Sequence, residues 1–145
     1  MRAFAFAALT LALAACSDPV PSAAAPEPAP VPVVLGGVDL NQPLRALGTE
    51  PFWSVDITPE ALVYSTPDGA PLGAGNPGPT VQGTTAVYAA AGADGTALVV
   101  TLIATECSDG MSDRTYPLTA RVEAGSQTLN GCAASVAFLN SAPAP

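Results

Sequence analysis

The chain contains no His and no Lys, and its four basic residues are all Arg. Without His there is no imidazole general base, no Ser-His-Asp triad and no His-ligated zinc or haem. Without Lys there is no Schiff-base chemistry and no P-loop lysine. Against four Arg stand 12 acidic residues, and a net charge of −8 opposes nucleic-acid binding, which draws much of its affinity from a basic face. A membrane-spanning run is missing too. The apolar stretch 3–13 is interrupted by Thr10 and falls short of the ~20 residues a spanning helix needs. At 145 residues there is room for one domain. These absences predict a protein without cofactor, metal or catalysis, whose reactive side chains are carboxylates, hydroxyls and Arg.

What is present begins with an address. Met1-Arg2 precedes the apolar stretch, which has the length of a signal-peptide core. Small residues follow, reading Leu13-Ala14-Ala15-Cys16. This segment resembles the lipobox of bacterial lipoproteins, whose Cys becomes the lipidated first residue of the mature chain. The resemblance implies a signal peptide over 1–15, a membrane partner through acyl chains on Cys16, and palmitate among them. Several acyl chains exceed the two-signal threshold for stable anchoring. Asp directly after the Cys favours inner-membrane retention in such families. Ser17 stands there instead, so the expectation is the outer membrane, facing the periplasm.

The cysteine count agrees. There are three, at 16, 107 and 132. With Cys16 acylated, Cys107 and Cys132 remain, and an oxidising compartment makes a disulfide between them the expectation. Neither sits in a CxxC motif, and Arg114 is the one nearby base in sequence that would lower a thiol pKa.

Residues 16–35 read as a tether. Six prolines at 19, 21, 26, 28, 30 and 32 exclude a helix and favour an extended spacer of ~50 Å. The folded domain is expected over 36–140, with 141–145 a disordered tail. Within it the hydrophobic period is two. Trp53, Val55 and Ile57 alternate with Ser54, Asp56 and Thr58, and further strands are predicted over 61–65, 84–90, 97–105, 116–123, 127–133 and 135–139. The Pro- and Gly-rich 66–82 reads as a long loop. No segment has a convincing amphipathic helical period. The expectation is an all-β fold, a small antiparallel barrel or sandwich of about seven or eight strands.

Two clusters could carry function. The first is Gly48-Thr49-Glu50-Pro51-Phe52-Trp53; the second is Glu106 to Pro117, reading ECSDGMSDRTYP, with Gly131-Cys132-Ala133 after it. Trp53 is expected as a core anchor rather than a ligand platform, because aromatics dominate small cores. Glu50 either faces water or pairs with Arg114. In the second cluster Asp109-Gly110 reads as a turn, and Ser112 and Asp113 suit bonds to nearby backbone N–H groups. The acids Glu106, Asp109 and Asp113 lack the D-x-D-x-D-G spacing of a calcium loop. Pairing Glu50 with Asp109 or Asp113 as glycosidase carboxylates finds too few aromatics for a sugar cleft. A rigid loop presenting Met111 and Arg114 to a partner is the functional alternative. The candidate binding set is therefore Glu50, Trp53, Asp109, Met111, Asp113 and Arg114.

Together the segments GTEPFW, CSDGMSDRTYP and GCA resemble a family of small, largely uncharacterised bacterial envelope lipoproteins, over about residues 45–133. The resemblance implies a class and no mechanism. In architecture it is similar to META-type domains and to membrane-bound inhibitors of c-type lysozyme, an analogy of fold alone. Two roles follow as expectations: a structural or sensory envelope lipoprotein, or a module that binds a basic envelope protein such as a c-type lysozyme.

Overall fold

The structure, a computed structural model, describes residues 31–141. The signal segment, Cys16 and most of the tether lie outside the described residues. Thirteen strands and one helix follow in order. A two-residue hairpin comes first, β1 (Val34–Leu35) and β2 (Val38–Asp39), turning at Gly36 and Gly37. Both glycines hold positive φ, 56° and 80°, a region that L side chains resist. Then come β3 (Leu44–Thr49), β4 (Phe52–Ile57), β5 (Ala61–Ser65), β6 (Leu72–Gly75), β7 (Thr80–Gln82), β8 (Thr85–Ala91) and β9 (Ala97–Ile103). A second short hairpin, β10 (Cys107–Ser108) and β11 (Thr115–Tyr116), precedes β12 (Leu118–Ala124), β13 (Gln127–Ser135) and α1 (Val136–Ser141).

Nine strands form one antiparallel sheet in the order β6-β5-β4-β3-β13-β12-β9-β8-β7. The sheet curls into a half-barrel, as the all-β reading anticipates. One isolated bridge, Ala74 to Gly92, links edge strand β6 to the residue that follows β8. A Cβ at Gly92 would lie 2.6 Å from Leu72 Cδ1 and 3.3 Å from the Gly73 carbonyl, so the bridge forms on a residue without a side chain.

The period of two sends alternate residues inside. Leu98, Val100 and Leu102 of β9 are fully buried, as are Leu118, Ala120 and Val122 of β12. They join Leu44, Val55, Ile57, Leu62 and Tyr88 in one core. Each fully buried aliphatic side chain contributes about 1.5–3 kcal/mol. A smaller cluster sits on the outer face of β13, where Tyr116, Cys132 and Ala134 pack against Leu47, Cys107, Phe138 and Leu139.

Four expectations change. Residues 135–139 are not a strand. Ser135 ends β13, and its Oγ accepts the Phe138 N–H at 3.1 Å, capping α1. Phe138 and Leu139 then cover the outer cluster. The helix runs through Ser141, one residue into the stretch read as tail. Second, the 66–82 segment contains two edge strands, β6 and β7; edges tolerate the Gly and Pro that obscured them. Third, β3 lies between β4 and β13, where no strand was expected. Its burial alternates through Leu44, Ala46 and Gly48, a weak pattern because two of the three are small. Fourth, the tether reading extended to 35, but Val34–Leu35 is a strand and Leu35 is 2% exposed. After Pro32 the run Val33-Val34-Leu35 is aliphatic, and Leu40 N–H bonds the Val33 carbonyl at 2.7 Å.

Candidate binding surface

The β3–β4 hairpin turns on Glu50 and Pro51, with Thr49 opposite Phe52 and Gly48 opposite Trp53. The Glu50–Pro51 peptide is cis. Alternation then separates the two aromatics. Trp53 points inward and is 4% exposed; Phe52 points outward and is 55% exposed. The indole lies over Gly48 and against Gly131, where a Cβ at either glycine would strike the ring. Trp53 is thus a core residue, as its type suggested, and offers little surface to a partner.

Beside the hairpin lies the disulfide loop. Cys107 of β10 is bonded to Cys132 of β13, with 5.5 Å between Cα atoms. β10 and β11 pair through Cys107 with Tyr116 and Ser108 with Thr115, leaving residues 109–114 as the loop. Asp109 organises it. Its Oδ1 accepts the N–H groups of Met111 at 3.0 Å and Ser112 at 2.9 Å. Its Oδ2 accepts the Ser112 hydroxyl at 3.0 Å and the Tyr116 hydroxyl at 3.0 Å. These donors, the Ser112 N–H foremost, hold the Asp109 carboxyl down at about 2. The Tyr116 phenol is pushed up by burial and by the same carboxylate. Thr49 Oγ1 donates to the Asp109 carbonyl at 3.2 Å and ties hairpin to loop.

The predicted residues therefore separate. Asp109 braces its own loop and holds the segment that presents Met111. Met111 is 66% exposed at the loop tip, and Glu50 and Asp113 face water. Arg114 is half-buried. Among the described residues no three His, Cys, Asp or Glu side chains gather as a metal site.

No protein-family model, curated protein or solved structure matches the chain.

Three clefts ring the hairpin, and Thr49 lines all of them. One of about 310 Å³ runs from Glu50 to Ser108, Asp109 and Met111. A second of about 650 Å³ is bounded by Glu50, Pro51, Phe52, Tyr64, Pro67 and Asp68. A third of about 380 Å³ lies between Phe52, Trp53, Ser65 and Pro67. Residue-by-residue reading missed Phe52, Pro67 and Asp68. The signal for Phe52 was available: with Trp53, Val55 and Ile57 inward, period two puts Phe52 outside. Nothing local could bring Asp68 to it, because they meet through the β4–β5 pairing.

Proposed function

We propose that the protein is a non-catalytic lipoprotein of the bacterial envelope, anchored in the outer membrane through Cys16, with its β domain in the periplasm and a structural or sensory role. The observation that carries this reading is the cysteine arithmetic. The Cys107–Cys132 bridge occupies both domain thiols, so the third cysteine is the one preceded by Leu13-Ala14-Ala15. The motifs GTEPFW, CSDGMSDRTYP and GCA support the envelope-lipoprotein class. The densest polar cluster supports a role without catalysis, because the Asp109 carboxylate is already held by its own loop. The test is metabolic labelling of the full chain with an alkyne fatty acid, followed by membrane fractionation. Label in the outer-membrane fraction that disappears in Cys16→Ala is the expected result. Soluble, unlabelled protein overturns the reading.

A second reading is favoured by Phe52 and Met111. Both are large apolar residues exposed on segments that a disulfide and a Thr49–Asp109 hydrogen bond hold together. We propose under it a protein-binding module for a basic envelope protein, for example an inhibitor of c-type lysozyme. Charge would steer the encounter. Stoichiometric inhibition of a c-type lysozyme that survives 1 M salt supports it, since the Debye length there is about 3 Å against about 10 Å at 0.1 M. Inhibition that fades with salt reduces it to nonspecific attraction.

A further inference from the structure

We infer that the cleft beside Phe52 is an arginine-recognition site, in which the ring of Phe52, sharing the cleft with the carboxylates of Glu50 and Asp68, takes an arginine side chain from a segment of a basic protein. The inference rests on the protein-binding reading and deepens it. It places the contact on the Phe52 side of the hairpin rather than on the disulfide loop.

Four observations converge. The first is size. At about 650 Å³ the cleft falls within the range of ligand pockets, ample for one long side chain and its flanking backbone. The second is the ring. Phe52 is 55% exposed, although burying it would remove much apolar area from water. An open aromatic face attracts a cation placed over it. The third is charge. Glu50 and Asp68 both line the cleft and both face solvent, while among the described residues no basic side chain lines it. Anions are repelled there, and a guanidinium would meet both the ring and a carboxylate able to accept its paired N–H groups. The apolar stem of Arg suits the Pro51 and Pro67 walls. The fourth is rigidity. Pro51 and Pro67 fix backbone angles, Thr49 is bonded to Asp109, and Tyr64 donates to Gln127 Oε1 at 3.2 Å on the cleft floor. Little conformational freedom remains to be lost on binding. Planarity, stacking and paired donors favour Arg over Lys.

The test uses the full chain in detergent and three blocked heptapeptides, identical except for a central Arg, Lys or citrulline. Citrulline keeps the shape of Arg without its charge. Isothermal titration calorimetry follows the binding. Amide chemical shifts locate the contact. The Arg peptide is expected to bind with Kd of about 1 mM, and the citrulline peptide about tenfold more weakly or not at all. Shifts should concentrate at 49–52 and 64–68. Phe52→Leu, which keeps apolar bulk but removes the π face, should weaken Arg binding about fivefold, with an unchanged unfolding midpoint. Asp68→Asn should weaken it about threefold at low salt. Equal binding of Arg and citrulline, an unaffected Phe52→Leu, or shifts scattered over the acidic surface would overturn the site. Lysozyme inhibition that survives in Phe52→Leu would overturn it while leaving the binding module standing. The Cys16 labelling result is independent of every one of these outcomes.

Discussion

Tyr88 and Asp109 show how differently two polar groups can be treated at the scale of single residues. Tyr88 is fully buried on β8, and its hydroxyl has no hydrogen-bond partner among the described residues. Burial alone pushes its phenol up to about 12. The hydroxyl lost its water on folding and is offered no replacement, which costs about 1–3 kcal/mol. Tyr88→Phe keeps the ring in place and is expected to raise stability by about 1 kcal/mol, read as a higher urea midpoint with an unchanged slope. Asp109 is the reverse case. Its carboxyl is held at about 2 by its loop donors, against about 3.9 for an unfolded Asp. The unfolded chain therefore binds more protons between these values. The stability the group confers is complete above about pH 4 and is lost as pH falls through about 2. The unscreened difference is about 2.6 kcal/mol; solvent around this loop reduces it to about 1 kcal/mol. Unfolding midpoints measured from pH 7 to pH 2 should show this acid limb, and Asp109→Asn should flatten it.

Elements rather than residues decide bridging and clamping. The half-barrel is bridged at Ala74–Gly92, and Gly92→Val places branched methyls against Leu72 and the Gly73 carbonyl. The expected cost is about 1–3 kcal/mol. Hydrogen exchange should speed up selectively in β6 and at the Ala91 end of β8, while β12 and β13 stay protected. The disulfide clamps the outer cluster of β10, β11 and α1 across a sequence separation of 25. Cys107→Ser with Cys132→Ser should lower stability by about 3 kcal/mol in the chain-entropy account. The loop around Met111 should then lose amide protection before the barrel does. Much of this scale was legible in the sequence. The alternation is clearest in β4 and β12, where after Phe52 large aliphatic, aromatic or small residues face inward and polar ones outward. β3 was obscured by Ala46 and Gly48, which carry little hydrophobic signal. The last five residues before 140 alternate too briefly to separate a strand from one and a half helical turns, and the Ser135 cap decides between them.

Across the whole molecule, acidity and the tether set the terms on which any partner is met. The net charge of −8 raises encounter rates with basic proteins and lowers them with anionic surfaces. In the proposed arrangement a short leader directs Cys16 to the membrane and the curled sheet presents the Phe52 hairpin to the periplasm. Composition by itself removed whole classes of chemistry, because a missing side chain cannot be restored by any fold. Hydrophobic alternation established the sheet for a related reason: the period of side chains along a strand is local. The pairing of Cys107 with Cys132, expected once the resemblance of Leu13–Cys16 to a lipobox set Cys16 aside, is present. The tertiary structure decided everything that depends on register between distant strands. It set Phe52 and Asp68 on the walls of one cleft. It also brought β6 against Gly92. Those outcomes join residues well separated in the chain, and the pairing of strands brings them together.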